Sequence, residues 1–283
     1  MIDTSAVDSA RLTILGAFAL ARRLCQPQCF GYHATWRLFR HTGLKASPGW
    51  HTDFYRTALA PLAANRPLRI LICAASDEAM LATLAMILDR RHVDIHLVDA
   101  CATPLVLSAT YAHRQGIALT TIQAHAPDLP DVPGPFDVAV TDGLLSLLEG
   151  PAARHALLAR LASLLTPDGR LLYTTRIAGP SSVLEYDRVG RTIQAAAAYL
   201  AWPGDTRQRH DLARRILTRP ARRSPFTIPD QLRTAFSRHF THVAVAQRPG
   251  QPTLPLRLHP AALTGNASRC IQVTADTPIP PAR

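Results

Sequence analysis

The residues best suited to chemistry stand at the ends of two apolar runs. Ile70-Leu71-Ile72-Cys73 opens into the loop Ala74-Ala75-Ser76-Asp77-Glu78, and His96-Leu97-Val98 closes on Asp99, twenty-two residues after Asp77. In an open parallel sheet, ligands bind beyond the carboxyl ends of the strands, where the strand order reverses. Ala74, Ala75 and Ser76 are small enough for a backbone to approach a ligand there. A carboxylate at Asp99 can accept hydrogen bonds from both hydroxyls of a ribose. Asp77 and Glu78 would meet a dinucleotide's pyrophosphate at close range, so their charge disfavours NAD. A nucleoside with positive charge escapes that repulsion. S-adenosylmethionine (SAM) is one: it has a sulfonium and an ammonium, and its single carboxylate can rest on the free N–H groups of a helix start. Asp77 also has a purely structural use, as the cap of that helix.

Positioning such groups takes an α/β scaffold, and the sequence has that texture. At 283 residues, 47% hydrophobic and 18% charged, the chain can bury a large core and is not a disordered polymer. Residues 8–25 and 52–64 carry apolar residues at helical spacing, and no strand is expected before residue 68. Thereafter short β-type runs alternate with helical stretches. Strands are predicted at 70–73, 93–98, 118–123, 136–141 and 170–175, and helices at 77–89, 104–114 and 152–165. Residues 180–218 read as helices, 229–236 as a short helix, and 242–247 with 268–274 as a closing antiparallel pair. The expected fold is α/β: a doubly wound, mostly parallel seven-stranded sheet with an antiparallel closing strand and an N-terminal helical lid. The expected division is a lid over 1–62 and a Rossmann-like domain over 63–283, with a helical insertion at about 180–218.

Within this frame the run from Arg69 to Ile177 resembles the class I SAM-dependent methyltransferases. Residues 70–76 are similar to the family's first motif, Leu97-Val98-Asp99 to its ribose-binding acid, and Pro135-Phe136-Asp137-Val138-Ala139-Val140-Thr141-Asp142 to its fourth-strand motif. Leu164-Leu165-Thr166-Pro167-Asp168-Gly169-Arg170 resembles the turn into strand five, and residues 225–233 the late helix before strand six. The resemblance implies SAM as cofactor, held by Ala74, Ala75, Ser76 and Asp77, by Asp99 and Ala100 at the ribose, by His125 and Ala126 at the adenine, and by Thr141 at the methionyl part. It implies that Asp142 orients or deprotonates an acceptor, or binds the cofactor's ammonium. The first motif is glycine-poor: Ala74, Ser76 and Glu78 stand where the family has glycines, Ile72 where an acid is common, and His125 where an aspartate is common.

Methyl transfer is an in-line displacement, so alignment and exclusion of water matter more than acid–base machinery. The lid and the insertion are the segments available to cover the site. In the lid, Tyr32, His33 and Trp36 cluster with Arg37 and Arg40, and Trp50-His51 with Phe54-Tyr55. Aromatic faces attract a sulfonium, and His33 with Tyr32 joins Asp142 as a candidate catalytic group. Core packing explains the same aromatics equally well.

The net charge of +11 comes from 30 arginines and a lone Lys45, scattered along the chain, with a local excess of 12 arginines over two acids between 206 and 270. That excess keeps a nucleic-acid methyltransferase in view, although no Asn-Pro-Pro-Tyr-like motif follows strand four. Five cysteines are sparse and odd in number, which fits a reducing cytoplasmic setting. Cys25 and Cys29 would share a helix face, but no second Cys/His pair at zinc spacing accompanies them, so no metal is expected. The apolar run 12–21 is too short to span a bilayer, and its flanking charges run opposite to a signal peptide's. The reading is thus a cytoplasmic methyltransferase with a small-molecule substrate, free or as a homodimer. Its alternatives are an enzyme that cyclises the aminocarboxypropyl group of SAM with release of methylthioadenosine, a nucleic-acid methyltransferase, and a non-catalytic SAM-binding relative.

Overall fold

A computed structural model describes residues 12–42, 47–63, 67–89, 92–125, 129, 132–177, 180–219, 226, 228–249 and 269–280, with the backbone alone at 176–177, 180–187, 249 and 269. Two helices open the described chain, α1 (Ile14–Leu24) and α2 (Pro27–His41), and a 3-10 turn at Pro48–His51 leads into α3 (Thr52–Ala63). The alternating part follows as β1 (Leu68–Cys73), α4 (Ala79–Ile87), β2 (Val93–Asp99), α5 (Ala102–Gln115), β3 (Leu119–Gln123), β4 (Phe136–Asp142), α6 (Gly150–Ser163) and β5 (Leu165–Ile177). The chain then adds α7 (Pro180–Ala201), α8 (Thr206–Thr218), α9 (Pro229–Phe236), β6 (Phe240–Pro249) and β7 (Arg269–Pro278).

The seven strands form one sheet in the order β3-β2-β1-β4-β5-β7-β6. β7 runs antiparallel to both neighbours, and the remaining pairs are parallel. The α/β fold, the doubly wound order and the antiparallel closing strand match the sequence expectation. β1 shows why the sheet is sandwiched. Ile70 and Ile72 face a core shared with Tyr55, Leu59, Leu84 and Leu105, while Leu71 and Cys73 face another shared with Leu157, Leu161 and Phe236. A strand buried on both faces reads as a continuous apolar run, which is how the sequence betrays it.

Several boundaries differ from expectation. The first crossover helix begins at Ala79, with Glu78 at its N-cap, and Asp77 Oδ1 accepts from Ala79 N–H at 3.0 Å. β5 begins at Leu165, where Phe136 pairs with it ahead of a register shift. The N-terminal part contains α2, a fifteen-residue helix that the spacing of apolar residues does not announce. Pro27 sits in its first turn, and Gly31 allows close approach to the insertion: a Cβ there would meet Ile216 Cδ1 at 3.0 Å and Gln194 O at 3.2 Å. A third apolar cluster results, in which Ala21, Phe30 and Ala34 pack with Cys101, Ala198 and Leu212. α8 is set by a capping box, Asp205 accepting from Gln208 N–H at 2.8 Å while Gln208 Oε1 accepts from Asp205 N–H at 3.0 Å. Among the described residues no helix is long and apolar enough to cross a membrane.

Candidate active site

β1 and β4 are neighbours whose crossovers leave in opposite directions, so the sheet's switch point lies at their carboxyl ends. The loop leaving β1 there has an unusual backbone. Ala74 adopts φ +64°, the left-handed conformation that glycine occupies freely and alanine only at a cost of about 1 kcal/mol. The glycine-poor motif therefore keeps a glycine's geometry. Ala74 N–H bonds Val98 O at 2.8 Å, and Ala75 N–H bonds Asp99 Oδ2 at 2.9 Å. Asp99 also accepts from Cys101 N–H at 2.7 Å, so both carboxylate oxygens are aimed by backbone. Burial is the largest influence on Asp99 and lifts its pKa above the usual range, against the pull of those two N–H groups.

α2 lies over this loop. Tyr32 Oη and Ser76 Oγ are 2.6 Å apart, and His33 Nδ1 is 3.3 Å from Ser76 O. Tyr32 stacks at 4.9 Å on Trp36 and is flanked at 5.0 Å by His33. Its phenol is held neutral chiefly by burial, against the pull of the Ser76 hydrogen bond, with the charges of Asp99, Asp142 and Asp77 adding to the shift. At His33, desolvation works against the proton. Cys101, Asp99 and the Ser76 carbonyl more than offset it, leaving a net upward shift.

The charge of the loop needs a correction. Asp77 and Glu78 do not stand open to a ligand. Arg40 Nε bonds Asp77 Oδ2 at 2.8 Å, and Glu78 Oε1 receives Arg37 at 2.5 Å and Arg40 at 3.0 Å. With Asp77 3% and Glu78 4% exposed, these contacts neutralise the acids between α2 and the loop. Two arginines three residues apart on α2 meet two adjacent acids at the start of α4, a match invisible until the helix is placed. Desolvation and the Asp77 charge still raise the pKa of Glu78, with the two arginines pulling it back.

The unpaired charge sits elsewhere. Asp142 closes β4, and its Oδ1 accepts from Thr174 Oγ1 at 2.8 Å, while Tyr55 Oη lies 3.0 Å from the same hydroxyl. Burial pushes the Asp142 carboxyl up to about 6. Among the described residues no arginine or lysine pairs with Asp99 or Asp142. Thr141, just before Asp142, holds a buried hydroxyl without a hydrogen-bond partner.

The structure thus gathers Tyr32, Ser76, Asp99 and Asp142 at the strand ends, with Ala74 and Ala75 in the loop between them. Ala100 is exposed and accepts from Gln123 Nε2 at 3.2 Å, His125 is exposed at the end of β3, and Ala126 lies outside the described residues. The second aromatic group belongs to the core. Tyr55 is fully buried, and His51 accepts from Gln272 Nε2 at 3.0 Å with its pKa lowered by burial to about 4. Thr174, which donates to Asp142, escaped sequence reasoning because it comes from β5; Tyr55, named there only as one of an aromatic group, lies on the same hydroxyl. Three of the twelve arginines between 206 and 270, Arg222, Arg223 and Arg257, fall outside the described residues.

No protein-family model matches the sequence, and no curated protein does. Solved structures match in fold. The N-methyltransferase NodS of Bradyrhizobium japonicum WM9, in complex with S-adenosyl-L-homocysteine (SAH), is 14% identical and aligns over 88% of this chain and 99% of its own, with a TM-score of 0.53. The CurJ carbon methyltransferase is 15% identical over 97% of this chain and 67% of its own, with a TM-score of 0.56. The chain has the fold of class I SAM-dependent methyltransferases.

Proposed function

We propose that the chain is a SAM-dependent methyltransferase acting on a small-molecule acceptor. The observation that carries this reading is the pair of carboxylates at the switch point, buried Asp99 and half-buried Asp142, neither paired with an arginine or lysine among the described residues, with His33 the one cation-capable group that acts on Asp99. Uncompensated buried charge is costly, and a ligand with positive charge relieves it. The electrostatic case against NAD, removed from Asp77 and Glu78 by their arginines, is taken over by these two groups. The donor set fits SAM: a carboxylate for the ribose, a carboxylate for an ammonium, an aromatic ring for a sulfonium, and the orphaned Thr141 hydroxyl beside them. The fold shared with NodS, crystallised with SAH, supports the same cofactor.

In this reading residues 1–62 form the lid over a domain at 63–283, whose insertion at about 180–218 backs the lid. SAM supplies a methyl carbon already activated by its sulfonium. Asp99 holds the ribose, with Ala100, His125 and Ala126 bordering the adenine. The left-handed turn at Ala74 lets the backbone of 74–76 lie close to the nucleoside, and Asp77 acts by shaping that turn. Asp142, ionised at neutral pH, takes the ammonium and is held by Thr174. Tyr32 closes the site from above, and its neutral phenol excludes water from the reacting carbon. His33, tied to Ser76, positions the lid on the loop. An enclosed site of this kind suits a compact acceptor better than a polymer.

Calorimetric titration with SAM, SAH and NAD tests the cofactor: binding of the first two without the third is expected, and NAD binding without SAM would overturn the reading. Incubation with SAM alone tests the reaction, since release of methylthioadenosine in place of a methylated product would replace methyl transfer by cyclisation of the aminocarboxypropyl group.

A further inference from the structure

Cys25, Cys29 and Cys101 come from three separate elements and meet at one point. Cys25 is the residue that ends α1, Cys29 lies in the first turn of α2, and Cys101 caps the N-terminus of α5. Cys101 Sγ is 3.6 Å from Cys25 Sγ and 3.8 Å from Cys29 Sγ, and the three sulfurs all fall within 4.8 Å of one another. All three are free thiols. We propose that these three sulfurs form a binding site for a thiophilic d10 cation, Zn2+ in the first instance, that staples the N-terminal helices to the start of α5.

The distances carry the argument. A tetrahedral zinc with bonds of about 2.3 Å to sulfur has ligand edges of roughly 3.8 Å. The two measured edges already match it, so an ion can enter with little rearrangement. A disulfide would need two sulfurs about 2 Å apart and would strand the third. The surroundings shield the site on most sides: Phe30, Ala34, Ala198 and Leu212 wall it with apolar surface, and Cys25 and Cys101 are 8% and 7% exposed. Cys29 is half-buried and offers the entry. Binding displaces the thiol protons to solvent and leaves the fourth position to water. Thr103 Oγ1, 3.2 Å from Cys25 Sγ, and the His33 ring against Cys101 are the polar neighbours that orient the sulfurs.

The sequence hid this site because only two of its ligands are close in the chain. Its effect reaches the strand ends, since Cys101 N–H bonds Asp99 and His33 bonds the loop at Ser76. It does not depend on the chain being a methyltransferase, and its test needs no SAM.

The protein, purified with a phosphine reductant and without chelator, is analysed for bound metal. It is then stripped and titrated with Co2+ alone. Zinc or copper near one ion per chain is expected, as is a thiolate-to-cobalt charge-transfer band in the near ultraviolet that equimolar Zn2+ abolishes. Cys29→Ser, the variant least disruptive to the core, should lose about a third of that band and weaken Zn2+ binding by roughly tenfold or more. Chelation should speed proteolysis within residues 12–42 of the wild-type chain and not of Cys29→Ser. Absence of both retained metal and the cobalt band would overturn the proposal, as would a Cys25–Cys101 disulfide as the form isolated from the cell.

Discussion

Asp99 and Asp142 are both acids with raised pKa values, yet they ask for different experiments. Asp99 serves the fold as well as the ligand, because its two oxygens hold the N–H groups of Ala75 and Cys101. Asp99→Ala would strip both N–H groups of their acceptor and mix folding with binding. Asp99→Asn keeps one acceptor oxygen and the shape. It is expected to weaken SAM binding by about 1–3 kcal/mol in calorimetry while lowering the melting temperature less than Asp99→Ala does. Unchanged affinity would remove the ribose assignment. Asp142 titrates. In the unfolded chain it ionises near 3.8 and in the folded chain near 6, so its contribution to stability is present below the first value and lost as pH rises through the second. A bound cation reverses the preference, because only the ionised carboxylate attracts it. SAM affinity should therefore rise as pH passes through about 6, and Asp142→Asn should bind weakly with that dependence gone. The same pH profile in wild type and variant would show that Asp142 does not face the positive end of the ligand.

At the scale of elements, α2 is held on the loop after β1, and its grip is ionic. Glu78 faces Arg37 and Arg40 with its side chain only 6% exposed. Removing one partner of a buried pair leaves a charge without compensation, whereas removing both exchanges it for packing. Arg37→Met is thus expected to cost roughly 3 kcal/mol in urea unfolding, and the double variant Arg37→Met/Glu78→Gln should recover most of it. Equal losses in the single and double variants would mean that Arg37 acts through its bond to Leu12 O and not through Glu78. This interface also marks where the sequence stopped being legible. Strands buried on both faces, such as Ile70 to Cys73, declare themselves as apolar runs, and Asp99 stands at a strand end in sequence as it does in space. α2 does not declare itself: Gly31, Tyr32 and His33 interrupt its apolar face, because that face packs on polar loop atoms and on the insertion rather than on a uniform core. The role of Asp77 and Glu78 was misread for the same reason. Local sequence showed two bare acids, and only long-range packing supplied the arginines.

Taken whole, the molecule uses its many arginines as struts. Arg170 binds Asp276 across β5 and β7 and also reaches the carbonyl of Ala58, Arg69 ties β1 to the carbonyls of Pro133 and Pro135, and Arg233 holds Val243 O. A guanidinium suits this work because its five donors can satisfy several carbonyls at once. Part of the net charge of +11 is accordingly structural, and a basic composition alone is a poor guide to a nucleic-acid partner. The struts on β5 to β7 lie on the far side of β4 from the loop, whereas α1, α2, α7, α8 and Cys101 beyond β2 share one apolar cluster, and α2 is ion-paired to the loop after β1. Ligand binding should then stiffen the molecule unequally. A nucleoside between Tyr32 and Asp99 makes opening of α2 require loss of the ligand, which raises the free energy of that local opening by the binding free energy. Opening of β6 and β7 that leaves the site intact gains nothing. Hydrogen exchange with and without saturating SAH is expected to show slowed exchange in 27–41, 74–78 and 99–101, with a smaller effect in 188–218 and none in 240–249. Uniform slowing over the whole sheet would mean that the molecule opens as one unit, and unchanged exchange in 27–41 would show that α2 is not the cover of the site.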